Sequence, residues 1–213
     1  LRRAFDNSGM QILDRDWDTL LIFDCGRYDM FENVIDSPGS LSKECSMASV
    51  TAHFVERNFS ERQAHDIVYL SANPLVGRRE EYLDIFKFVG VRHETRREKR
   101  GQENTRGLVD PEPVIKKAKD LHDEYPNKRH IVHFLPPHTP HMFKSGGELE
   151  NNSQYRNYEA VRGGNASTDE MRNVYAENLQ YAIEQALDFT EDINGKVAMT
   201  ADHGELLGGG VPL

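Results

Sequence analysis

The chain has 213 residues, a formal net charge of −9 and 38% hydrophobic residues, with a mean hydropathy of −0.68. That length suits one large α/β domain with a substantial core, and no apolar run approaches the roughly 18 residues that a membrane span needs. The acidic balance argues against a general nucleic-acid binder, which presents a basic stripe. It leaves an anionic ester open as substrate, because a bound dication reverses the local field.

In chain order, residues 19–24 (Thr-Leu-Leu-Ile-Phe-Asp) form a short apolar run that ends in Asp24 and continues as Cys25-Gly26-Arg27-Tyr28-Asp29. The run reads as a buried strand, and an aspartate after a strand is commonly a helix N-cap. Cys25 and Cys45 are the only cysteines, too few for a disulfide framework and wrongly spaced for a zinc knuckle. Cys25 reads as a small, partly buried side chain at a strand end in preference to a nucleophile. Residues 44–59 read as a helix. Residues 66–71 (Asp-Ile-Val-Tyr-Leu-Ser) are a second strand candidate, closed by the turn signal Ala72-Asn73-Pro74.

Residues 92–106 are almost wholly polar and include Arg96-Arg97-Glu98-Lys99-Arg100. They read as a solvated excursion more readily than as a grip on an anionic substrate. A helix is expected over residues 111–125, with Val114, Ile115, Ala118 and Leu121 at helical spacing. Residues 129–134 (Arg-His-Ile-Val-His-Phe) are a third strand. It runs into a proline-bounded turn that carries His133, His138 and His141. Proline fixes the backbone and holds imidazoles at low entropic cost, so these histidines are candidates for metal binding or for proton donation to a leaving group. His133 reads equally well as a core residue. Residues 146–164 are rich in Asn and Gly, and a loop that long in a compact domain is usually functional or disordered.

Ser167-Thr168-Asp169-Glu170 resembles a capping box. It precedes a helix whose Met171, Val174, Tyr175, Leu179, Ala182, Ile183 and Leu187 mark one apolar face. Residues 195–199 then form a last strand, followed by Thr200-Ala201-Asp202-His203-Gly204-Glu205. An Asp-His pair at a strand end offers one oxygen and one nitrogen ligand, a set suited to Zn²⁺ or Mn²⁺, whereas Ca²⁺ and Mg²⁺ prefer oxygen shells. Parallel strands present their carboxyl ends at one edge of the sheet, so Asp24 and Asp202 can converge although far apart in sequence. The alternation of strands and helices predicts a doubly wound, mostly parallel α/β sheet with helices on both faces, as one domain over residues 1–213.

Three segments occur in order: Asp24-x-x-Arg27-x-Asp29 after an apolar strand, His-Phe-x-x-Pro-His-x-Pro, and Thr-x-Asp-His-Gly-Glu. Together they resemble the alkaline phosphatase superfamily, in its sulfatase-like branch, which holds sulfatases, phosphonate monoester hydrolases and phosphoethanolamine transferases. The likeness is nearest to archaeal sulfatase-like proteins, which share the Ser-Ala-Asn-Pro and Tyr-Pro-x-Lys-Arg features. The resemblance implies a divalent metal ion (Zn or Mn favoured, Ca possible) held by Asp24, Asp202 and His203, and a nucleophile at a helix start. Sulfatases carry Cys/Ser-x-Pro-x-Arg there; this chain has Cys45-Ser46-Met47-Ala48-Ser49 and lacks the proline and the arginine.

That departure leaves a plain hydroxyl nucleophile. Placement against such relatives favours Ser49, then Thr51, then Ser46, with Arg27 clamping an ester oxygen and His138 or His141 assisting the leaving group. The expected function is hydrolysis or transfer of a phosphate, phosphonate or sulfate ester on a small molecule, glycan or lipid. A degenerate, non-catalytic domain binding a glycan or acidic ligand is the alternative. The last residues, Gly208-Gly209-Gly210-Val211-Pro212-Leu213, read as a loop heading into further structure. The family places a further histidine beyond this point, so a truncated domain with an exposed sheet edge and possible self-association is expected. No signal peptide is evident and Leu1 is not a methionine. A cytoplasmic location is expected for the chain as it stands, with an upstream leader or anchor left open.

Overall fold

The structure, a computed structural model, describes residues 9–34, 39–91, 110–139, 141, 164 and 166–207. Its strands are β1 (Thr19–Phe23), β2 (Gln63–Ser71), β3 (Asp84–Gly90), β4 (Arg129–Phe134) and β5 (Val197–Ala201). The α-helices are α1 (Tyr28–Val34), α2 (Thr51–Phe59), α3 (Pro74–Gly77), α4 (Pro111–Glu124) and α5 (Thr168–Thr190). All strand pairs are parallel, in the order β3-β2-β4-β1-β5, an arrangement consistent with a doubly wound α/β fold. The polar stretch at residues 92–106, most of the loop at 146–164 and residues 208–213 lie outside the described residues.

The inner strands hold continuous apolar runs at residues 20–23, 67–70 and 131–132, whose alternate side chains enter two separate clusters. Leu21 and Phe23 of β1, Val68 and Leu70 of β2, and Val132 and Phe134 of β4 share a cluster with Val114, Ala118 and Leu121 of α4 and Tyr175, Leu179 and Ile183 of α5. Their alternates Leu20, Ile22, Ile67, Tyr69 and Ile131 share another with Phe54, Val55 and Phe59 of α2 and Val76 of α3. Each large side chain so buried contributes about 1.5–3 kcal/mol. The outer strand β3, which the sequence reading did not pick out, mixes Lys87 among aromatics and is only half-buried. An edge position removes the continuous apolar run by which buried strands are recognised.

Helix starts follow their caps. The Asp110 side chain accepts from Glu112 N ahead of Pro111 at the first helical position, and the Ser167–Glu170 capping box forms in both directions. The helix expected over residues 44–59 begins only at Thr51, after the extended residue Val50. The preceding segment is held open by other bonds: Met10 N donates to Cys45 O at 2.8 Å, and Ser46 Oγ donates to the Asp202 carbonyl. No helix among the described residues is long and apolar enough to cross a membrane. Of three Asn-x-Ser sites, Asn58 is buried, accepting from Ile12 N and donating to Phe54 O; the other two asparagines lie outside the described residues.

Topology and register build the site. From β1 the chain moves one way to β2 and β3, whereas from β4 it crosses β1 to reach β5. Ligands in open parallel sheets bind where connections diverge in this way. The register aligns Phe23 with both Phe134 and Ala201, so the next residues on β1 and β5, Asp24 and Asp202, leave the sheet side by side.

Candidate metal centre at the carboxyl edge of the sheet

Asp24 and Asp202 are both fully buried, and His203 is only 10% exposed in its side chain. His203 Nε2 lies 3.6 Å from Asp24 Oδ1 and 3.5 Å from Asp202 Oδ2. The ligand atoms of the three residues fall within 4.8 Å of one another. Ions such as Zn²⁺, with bonds of about 2.0–2.2 Å to N and O, set tetrahedral ligand atoms roughly 3.3–3.5 Å apart, so this trio fits a small dication. The His203 Nδ1–H donates to the Gly204 carbonyl at 2.9 Å. That bond leaves Nε2 with the free lone pair, the anchoring that ligating histidines ordinarily show.

The electrostatics suit a proton or a cation between the two carboxylates. Burial, and then the neighbouring Asp202 charge, hold the Asp24 carboxyl well above the usual carboxylate range. Two carboxylates out of water repel each other unless a proton or a cation intervenes. The protein supplies polar contacts around them. Asn73 Nδ2 donates to Asp24 Oδ2, while Cys25 N and His203 N donate to Asp202 Oδ1 at 3.0 and 2.9 Å. Cys25 has a left-handed backbone, with φ of 65°, and its Sγ donates to Asp24 Oδ1 at 3.2 Å.

One buried imidazole faces this centre with a ring nitrogen unpaired. His133 is completely buried in β4; its Nδ1 meets Tyr69 Oη at 3.0 Å, and its Nε2 has no hydrogen bond and stands 3.9 Å from Asp202 Oδ2. Burial lowers its pKa to about 4, so the ring is neutral at neutral pH. An orphaned buried nitrogen beside a buried carboxylate is costly in a purely structural cluster.

The candidate nucleophiles separate clearly. Thr51 is buried, and its Oγ1 donates to Asp202 Oδ2 at 2.7 Å, lies 3.4 Å from His203 Nε2 and accepts from Asn73 Nδ2 at 3.1 Å. Ser49 is exposed and stands outside this group, before the extended residue Val50 that precedes α2. Ser46 is held by the Asp202 carbonyl. Asn73, legible in the sequence only as a turn residue, enters because the Ala72-Asn73-Pro74 turn ends β2 beside the site and the Asn73 Oδ1 caps α3 by accepting from Leu75 N.

Arg27 forms a fork onto Asp29, with Nε and Nη2 at 2.9 and 2.7 Å, and its Nη1 donates to the Glu205 carbonyl at 3.0 Å. It thus ties the loop after β1 to the loop after β5, and clamping an ester oxygen would require exchanging those bonds. Arg27 and His203 also line a cavity of about 610 Å³ that runs past Trp17, Phe31 and β5. His138 stands with Asp24 and Cys25. His141 does not join the carboxylates; it is walled in edge-on against Tyr175, with its Nδ1 unpaired, and burial lowers its pKa to about 3.

The fold and this edge define an α/β protein with a buried Asp-Asp-His group suited to a divalent cation. No protein-family model, curated protein or solved structure matches the chain.

Proposed function

We propose that the protein is a metal-dependent hydrolase or transferase of phosphate, phosphonate or sulfate esters, with Thr51 as the nucleophile. The observation that carries this reading is one hydroxyl, buried at a helix start, bonded to a carboxylate of a candidate cation site. A divalent cation held by Asp24, Asp202 and His203 would supply the charge that makes a hydroxyl acidic and neutralises ester oxygens. The sequence likeness to sulfatase-like proteins points the same way.

Within the protein, Asp202 Oδ2 accepts the Thr51 proton as the hydroxyl attacks. Asn73 Nδ2 donates to Thr51 Oγ1 and holds the remaining lone pair of that hydroxyl in a fixed direction. The first turn of α2 presents backbone N–H groups and a partial positive charge, which suit an anionic phosphoryl or sulfuryl group. Arg27, on the cavity wall with His203, adds a cation there. The bond from phosphorus or sulfur to the ester's own alcohol breaks, that alcohol leaves with a proton taken from water, and the covalent ester on Thr51 then passes to water or to an acceptor alcohol.

The test is a panel of aryl phosphate, phosphodiester, phosphonate and sulfate esters, assayed with Zn²⁺ or Mn²⁺ and followed by intact-mass and peptide mapping. An adduct on Thr51 with turnover of at least one ester class supports the reading. An adduct on Ser49 or Cys45 would replace Thr51, and inertness towards all four classes would sink the enzymatic reading.

A further inference from the structure

Beside the Asp24–Asp202–His203 group stands a second trio, Asp24, Cys25 and His138, whose ligand atoms likewise lie within 4.8 Å of one another. The Cys25 thiol is almost fully buried, with Sγ 3.2 Å from Asp24 Oδ1 and 3.9 Å from His203 Nε2. Around a zinc-type ion, with bonds of about 2.3 Å to sulfur and 2.0–2.2 Å to N and O, such atoms stand roughly 3.3–3.6 Å apart. His138 is braced as His203 is: its Nδ1–H donates to the Thr139 carbonyl at 2.7 Å and leaves Nε2 free to ligate. A buried thiol that serves only as a small hydrophobe packs against apolar neighbours. The Cys25 sulfur instead lies on a carboxylate oxygen. The unpaired His133 Nε2, 3.9 Å from Asp202 Oδ2, marks the same centre as one whose polar atoms are not satisfied by the protein alone.

We propose that Asp24, Cys25 and His138 form a second divalent-cation site that shares Asp24 with the Asp202–His203 position, its thiolate selecting zinc or cobalt over magnesium and calcium. The inference rests on reading Asp24, Asp202 and His203 as a cation site. Soft thiolate and imidazole ligands favour such ions, and magnesium and calcium seek oxygen shells. On binding, the metal–sulfur bond forms and the thiol proton leaves to solvent, with no change of oxidation state. Each position would then have three protein ligands, the number that two-metal ester chemistry uses. Charge agrees: two dications against two carboxylates and one thiolate leave a positive centre, which attracts an anionic ester. One dication against the two carboxylates alone leaves none. In this arrangement His138 is a ligand and not the leaving-group acid.

The experiment is titration of the metal-free full chain with Co²⁺, read by near-ultraviolet absorbance and by equilibrium dialysis with metal analysis. The expected result is two equivalents of cobalt and a thiolate-to-cobalt charge-transfer band. Cys25→Ser should lose the band and about one equivalent while keeping the other, and His138→Gln should weaken the same equivalent by tenfold or more. Far-ultraviolet circular dichroism of each variant confirms that it folds, and the wild-type band stands without any variant. One equivalent with no band overturns the second site and leaves the proposed function standing. One equivalent with a band that Cys25→Ser removes also overturns the second site, because the thiol then serves a single centre. Failure to bind Co²⁺ or Zn²⁺ at all would overturn both readings.

Discussion

β1 and β4 carry buried polar side chains at both of their ends, and the two ends treat them differently. At the amino-terminal end, His122 and His130 stack with ring centroids 3.7 Å apart. His122 bonds Thr19 Oγ1 and the Ala118 carbonyl, and His130 Nε2 bonds the Tyr125 carbonyl. Both rings are neutral, so nothing charged is buried and each ring has a partner. At the carboxyl-terminal end two buried carboxylates face each other, and His133 Nε2 has no partner. The first end is complete as it stands, whereas the second leaves a nitrogen unpaired and groups side chains that could hold a cation. Unsatisfied buried polarity is therefore a better pointer to function here than buried polarity as such.

Removing the hydroxyl at the unsatisfied end should have the largest effect. Under the proposed function, Thr51→Ala lowers kcat by about 10³-fold or more, whereas Thr51→Ser keeps activity within roughly tenfold. Ser49→Ala, on an exposed residue, should change kcat little. Steady-state kinetics on the most reactive ester of the panel decides this, and a normal rate in Thr51→Ala would place the chemistry elsewhere.

Asp202→Asn should come next. Loss of one charged ligand weakens dication binding by about 10²-fold or more while the fold is retained, because the large core is untouched. Calorimetric Zn²⁺ titration beside circular dichroism measures both, and full metal affinity in the variant would remove Asp202 from the centre. A smaller change is expected for His133→Gln, roughly 10–100-fold in metal affinity. Its signature is that the effect falls on binding of the ion and leaves the thermal midpoint of the metal-free protein nearly unchanged.

At the satisfied end the expected effect is on stability alone. Burial, and then the neighbouring His122, lower the His130 pKa to about 4, and burial lowers that of His122 as well, against a weaker pull from Asp123. Their folded-state pKa values lie below the unfolded value near 6.5, so the fold favours the neutral rings. The stabilisation is fully present above pH 6.5 and is lost as pH falls from 6.5 towards 4, by up to about 1.4 kcal/mol per pH unit for each proton taken up. His130→Gln keeps an amide donor for the Tyr125 carbonyl and should flatten part of that slope. Urea unfolding at pH 7 and pH 5 measures it, and identical slopes in the two proteins would show that His130 is not the group that titrates.

The inner strands, the helix with its Ser167–Glu170 box and the strand-end aspartates were legible because each is signalled within a few residues: an apolar run, a cap, a turn. The start of α2 was not, since contacts to Met10 and to Asp202 hold the preceding segment extended. That displacement moved the expected nucleophile from Ser49 to Thr51. Asn73 was legible only as a turn residue, and His133 only as a histidine with a metal-binding or a core reading, because their contacts to Asp24, Thr51 and Asp202 leave no local mark.

The sequence by itself determined that short apolar strands alternate with amphipathic helices, and that two aspartates and a histidine stand at strand ends. It did so because strand and helix periodicity and chain stops are local properties of the side chains. Only the tertiary structure decided which groups meet. The parallel register aligns Phe23 with Ala201 and Phe134, and so sets Asp24 against Asp202. The β2 turn brings in Asn73, the late start of α2 brings in Thr51, and a left-handed residue after β1 carries the Cys25 sulfur to Asp24. These pairings span 49 to 178 positions of sequence or follow from one backbone angle, and no local pattern encodes a contact that strand pairing creates.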